Sequence, residues 1–128
     1  MRSVTDRRVA VSGVASSAGT HHAGQDRAPA ALRAAGFTEK LRGAGLTVED
    51  RGDLLHEVFV ADEMGATARN LAAVVRVARA TAGAVAGALA DGALPLVLGG
   101  DCTITLGVVA SSASTRTCAW RTSTGTRT

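Results

Sequence analysis

Short apolar runs that stop at glycine alternate along this chain with longer stretches whose apolar residues recur at helical spacing. Arg8-Val-Ala-Val-Ser-Gly-Val14 reads as a strand, and Leu46-Thr-Val-Glu-Asp50 as a second one closed by Gly52-Asp53-Leu54. Leu94-Pro-Leu-Val-Leu98 is a third run, halted by Gly99-Gly100. Helical segments lie between them. Pro29 takes the place of a first helical residue, and Ala30-Ala-Leu-Arg-Ala-Ala35 continues to Gly36 as strong helix former. Thr38 is placed to cap a short helix from Glu39 to Gly43, with Leu41 turned inward. Asn70 is placed to cap the longest helix, Leu71 to Asp91. Leu71, Val74, Val75, Ala78, Ala82, Val85 and Leu89 make its apolar stripe, and Arg76 and Arg79 fall opposite. A last helix starts at Thr103 and runs to Ala110, while 15–26 reads as a loop and 55–68 as a connector without period.

Strand and helix in alternation predict an α/β fold with a parallel sheet, doubly wound by right-handed crossovers. With 128 residues the chain forms one domain at most. Much of its apolar content is alanine, and Phe37, Phe59 and Trp120 are the only aromatics, so a thin core is expected. No run of about 18 apolar residues stands in the sequence, and no membrane span is expected. Val9 to Val14 is too short and too interrupted for the core of a signal peptide. Cys102 and Cys118 form no disulfide framework, which points to a reducing cytoplasm.

The net charge of +3 comes from the end of the chain: without Arg116, Arg121 and Arg127, the 14 basic residues balance the 11 acidic ones. A neutral body carries no footprint for nucleic acid, and no nucleic-acid partner is expected. Residues 1–110 form the domain, and 111–128, in which ten of 18 residues are Ser or Thr, read as a disordered polar tail.

The third strand carries the chemistry. A buried parallel strand that ends in Gly99-Gly100-Asp101-Cys102 delivers a polar pair to the carboxyl edge of the sheet, where α/β proteins place their sites. Residues 98–102, Leu-Gly-Gly-Asp-Cys, resemble the first metal-binding motif of the ureohydrolases (arginase, agmatinase, formimidoylglutamase), which reads Gly-Gly-Asp-His, with Cys102 at the histidine position. Val9 to Gly19 resembles that family's first strand and loop, Gly24 to Gly36 the opening of its first helix, and Leu46 to Asp53 its second strand. The likeness covers residues 8–110.

The resemblance implies a partial three-layer α/β/α fold of arginase type, with an incomplete parallel sheet. It also implies a pair of Mn²⁺ ions whose bridging hydroxide attacks a guanidinium carbon, so that a small guanidino or formimino substrate loses urea or a related amide. Cys102 is the one position that carries over as a metal ligand; a thiolate favours Zn²⁺ or Fe²⁺ over Mn²⁺, and the plain alternative is a small buried core thiol. Asp101 is either a group that orients a ligand from behind or the cap of the helix that follows. His21 and His22 are either solvated or near substrate, and His56 reads as surface. The remaining metal ligands of the family have no counterpart, so the chain as it stands is expected to be inactive and to bind no metal stably. An incomplete sheet leaves an unpaired edge, which favours marginal folding and self-association.

The tail adds one more reading. Taken from the preceding third base, the codons of Thr117 to Thr128 spell Val-Arg-Leu-Ala-Tyr-Val-Asp-Gly-His-Ala-Asp when third bases favour G or C. That string resembles the next strand of the ureohydrolases and their Asp-x-His-x-Asp ligand motif. It predicts a gain or loss of bases near codon 110 that shifts the frame. Two competing sites fail. Gly13 to Thr20 has one residue too many for a phosphate-binding P-loop and lacks its lysine, and no Gly-x-Gly-x-x-Gly follows the first strand. A non-catalytic protein that assembles through its sheet edge is the other function open to this sequence.

Overall fold

The computed structural model describes residues 7–61 and 70–112. Its centre is β1 (Arg8–Ser16), buried at every position after Arg8. β1 lies between β2 (Thr47–Glu57) and β3 (Leu94–Gly99) and pairs parallel with both, in the order β2-β1-β3. A strand covered on both faces and both edges has no place for a charge, and beyond Arg8 the strand holds only Val, Ala, Ser and Gly.

The period of two along β1 sorts the layers. Val9 and Val11 cluster with Leu98 and, behind it, Phe37, Leu46, Val48 and Leu96. Ala10 points the other way, to Ala88 and Ala93. The first face is covered by α1 (Ala28–Ala34) and α2 (Phe37–Gly43), the second by α3 (Leu71–Ala90), on which α4 (Ile104–Ser112) packs. Among the described residues the result is a helix–sheet–helix sandwich of three parallel strands. The core is thin, as expected: the largest fully buried side chains are the valines Val11, Val14, Val77 and Val85.

Gly107 sets the approach of α4 to α3. A Cβ there would lie 2.3 Å from the Ala78 carbonyl oxygen and 2.8 Å from the Thr81 Cβ, so only glycine lets the two backbones meet.

Several sequence expectations need correction. The buried stripe of α3 is Val77, Thr81, Val85 and Ala88, rotated from the expected one; Leu71 and Leu89 are exposed. Thr81 joins the core because its hydroxyl donates to the Val77 carbonyl at 2.8 Å, which leaves no polar group unmet. Asn70 stands at the start of α3 in left-handed conformation without a side-chain cap bond; its amide donates instead to the carbonyls of Val60 and Ala18, at 3.0 and 3.3 Å. Thr38 lies inside α2, buried, and Gly36 holds the cap position at φ 80°. β2 runs on to Glu57, so the first part of the expected connector is strand. It spends 11 residues against the 9 of β1 because its register slips on either side of Gly13. α4 continues through Ser112, so the first two residues assigned to the tail are helical. Residues 113–128, Cys118 among them, lie outside the described residues. By length and composition alone, α3 is also apolar enough to cross a membrane, against expectation; here it serves as a core helix on the sheet.

Candidate functional site

The three described strands run parallel, so their carboxyl ends meet on one edge of the sheet. Two polar networks occupy that edge. The first is built on Asp101, at the turn from β3 to α4. Gly100 enters this turn at φ 64°, and a Cβ on it would fall 2.5 Å from the Val14 carbonyl oxygen and 2.8 Å from that of Ser16. Glycine is therefore required on two counts, and the close approach allows the Asp101 amide to donate to the Ser16 carbonyl at 3.0 Å.

The Asp101 side chain, 2% exposed, is fully engaged. Oδ1 accepts the Thr103 amide at 2.8 Å and the Thr103 hydroxyl; Oδ2 accepts the Gly19 amide at 3.1 Å and the Ser16 hydroxyl at 3.3 Å. It is thus the cap of the following helix, which starts at Ile104, and it also binds the loop after β1. Cys102, next in the chain, is exposed and free. The reading of Cys102 as a buried core thiol is thereby corrected: the turn points it away from the sheet interior because Asp101 takes the inner position.

The second network surrounds Asp26, in a 3-10 turn of residues Gln25–Arg27. Its carboxylate accepts the Gly24 amide at 2.9 Å and lies 2.8 Å from His56 Nε2. The hydrogen bond to His56, and next that to Gly24, outweigh burial and hold Asp26 at about 2. His56 is exposed, as expected, but it is partnered, which the sequence did not reveal; 30 residues separate the pair. His21 and His22 are exposed bends of the intervening loop.

A third cluster lies over Gly13. Arg33 of α1 grips Asp50 with Nε at 2.9 Å and Nη2 at 3.0 Å, and reaches Asp53 with Nη1. The two carboxylates raise the Arg33 pKa further above its ordinary range, and Arg33 lowers that of Asp50. A side chain on Gly13 would occupy the Asp53 carboxylate. This cluster joins α1 to β2 across the sheet, a role the sequence pattern did not announce.

These residues do not fit a metal pair. Among the described residues no three of His, Cys, Asp and Glu come together as ligands. Asp101 has spent both oxygens on hydrogen bonds, which leaves the single thiol of Cys102.

The chain matches the family model described as the arginase family over residues 7–119, past the boundary expected at 110. It is 34% identical over 111 residues to an arginase of Brevibacillus brevis, covering 84% of this chain and 36% of that protein. Identity to human arginase-1 is 32%, over 87% of this chain and 34% of the human one. The structure is similar to that of the Bacillus caldovelox arginase with a TM-score of 0.73 at 33% identity, covering 84% of this chain and 36% of that one. The chain thus spans about a third of the length of the curated relatives it matches.

Proposed function

This chain belongs to the arginase family, and from that we propose that it supplies the amino-terminal part of a ureohydrolase-type hydrolase acting on a small guanidino or formimino substrate. The observation that supports this most is the turn at residues 99–102, which stands at the carboxyl end of a parallel strand with Cys102 exposed where the family carries a histidine. In the whole enzyme a manganese pair would supply the hydroxide that attacks the C–N carbon. No step of that reaction is assigned to these residues, because one thiol does not hold two ions. The described part of the chain contributes scaffold: Asp101 holds the turn, and Gly100 and Gly107 allow the close approaches that place it. Alone, the chain is inactive and retains no manganese. The free thiol of Cys102 agrees with a reducing compartment, the cytoplasm.

The test is direct. The purified chain, given Mn²⁺ and arginine, agmatine or formimidoylglutamate in turn, releases no urea or formamide beyond the metal blank. Product that scales with protein concentration overturns the inactivity. The frame-restored, longer product of the same gene is expected to release it; failure on all three substrates counts against the substrate class.

One observation favours a second reading, self-association of a non-catalytic chain. β3 has one strand neighbour among the described residues, carries no charge, and leaves Leu94 exposed. Uncharged edges pair with other copies. Light scattering of the eluting protein decides: a discrete dimer supports this reading, and a monomer removes it.

A further inference from the structure

The network around Asp26 has no part in the proposed chemistry, yet it joins the turn before α1 to the end of β2. Asp26 is 8% exposed and receives the Gly24 amide and His56 Nε2. Ser17 is fully buried; its hydroxyl oxygen accepts the Phe59 amide at 2.9 Å, and its own amide donates to the Glu57 carbonyl at 2.9 Å. The loop after β1 and the turn before α1 are therefore each fastened to the end of β2, the first by Ser17 and the second by Asp26. His56 is 62% exposed at its side chain, so one side of the ring meets water while Nε2 faces a buried anion.

We propose that Asp26 and His56 form a protonation-controlled clasp that fastens the loop of residues 17–27 to the end of β2. The clasp is tight while the imidazole carries its proton and slack once the proton is lost. A charged donor on a carboxylate makes a hydrogen bond roughly twice as strong as a neutral one. Loss of the proton also admits the tautomer in which the Nε2 lone pair faces the carboxylate, a repulsive arrangement. Other charged and titratable groups stand around the pair. Glu57, next on β2, is held by Arg76 of α3 at 2.9 Å. β1 offers Ala15 opposite His56, and the turn carries the cation of Arg27 beside Asp26. The loop adds His21 and His22, both exposed, and Asp101 meets the same loop at Gly19. Through that last contact the state of the clasp reaches the turn that carries Cys102.

Hydrogen exchange on the 128-residue chain tests the clasp. Histidine changes charge between about pH 5 and 8. Across that window, protection of the loop amides, corrected for intrinsic exchange, is expected to fall roughly three- to tenfold. His56→Gln keeps an uncharged donor, and its protection is expected to stay flat. Equal pH dependence in both proteins overturns the proposal. Should His56→Gln not fold, the unaltered chain still decides: the Gly24 amide resonance must shift with the same midpoint as the His56 ring. A Gly24 signal that stays fixed while the ring titrates refutes the clasp.

Discussion

The backbone amide of Gly19 donates to Asp101 Oδ2 at 3.1 Å, across 82 residues of chain. That bond closes the loop after β1 against the turn after β3. The same carboxylate caps α4, so one buried side chain fixes the entry of a helix and the exit of the central strand.

Replacing Asp101 should therefore cost more than a helix cap alone. Asp101→Ala removes every acceptor at once and leaves the Gly19 and Thr103 amides unmet. Destabilisation of about 2–3 kcal/mol is expected in urea melts, and a smaller loss for Asp101→Asn. A change within error in the alanine variant refutes the staple.

Gly107 is the second sensitive position. Gly107→Ala must push α4 away from the Ala78 carbonyl, for a loss of about 1–3 kcal/mol. Gly83, whose Cβ would meet nothing within 4 Å, is the control, and Gly83→Ala should be neutral or stabilising.

Acid titration reports on Asp26. Its folded-state pKa, about 2, lies below the ordinary aspartate value of 3.8. A depressed carboxyl contributes stability that is present above the unfolded value and lost as pH falls through the folded one. The chain should thus lose stability relative to Asp26→Asn as pH falls from 3.8 to about 2. Parallel acid unfolding curves would contradict the assignment.

Cys102 should behave as an accessible thiol with no structural duty. In a Cys118→Ser background it is expected to react completely with Ellman's reagent without unfolding. Cys102→Ser should change stability by less than about 0.5 kcal/mol. Added Mn²⁺ should leave the melting temperature of either form unchanged. A rise that depends on Cys102 would show that the thiol ligates metal after all.

The frame reading is checked on DNA. Sequencing across codons 105–128 and beyond is expected to show the Asp-x-His-x-Asp codons in the neighbouring frame, followed by open coding sequence. Stop codons in that frame directly after the motif would sink the idea.

Much of this architecture could be read from apolar spacing. β1 and β3 were legible because short, mostly apolar runs checked by glycine have few other solutions in a parallel sheet. The Asp101 cap was legible because Asp two residues before a helical run is a local signal. The stripe of α3 differs from the expected one for a physical reason: more than half its residues are alanine or glycine, and either face of such a helix packs. Thr81 was passed over because its hydroxyl turns inward to its own helix. Asp26–His56 and Arg33–Asp50 escaped notice because polar pairs that meet only in the fold leave no period in the chain.

The placement of β1 bears on how the polypeptide is made. Its first partner, β2, ends at Glu57, but its other edge waits for Leu94–Gly99. During synthesis the most buried of the described strands must leave the ribosome long before its second neighbour has been translated. Until Gly99 clears the exit tunnel, β1 stands half-paired and open to the chaperones that patrol nascent chains.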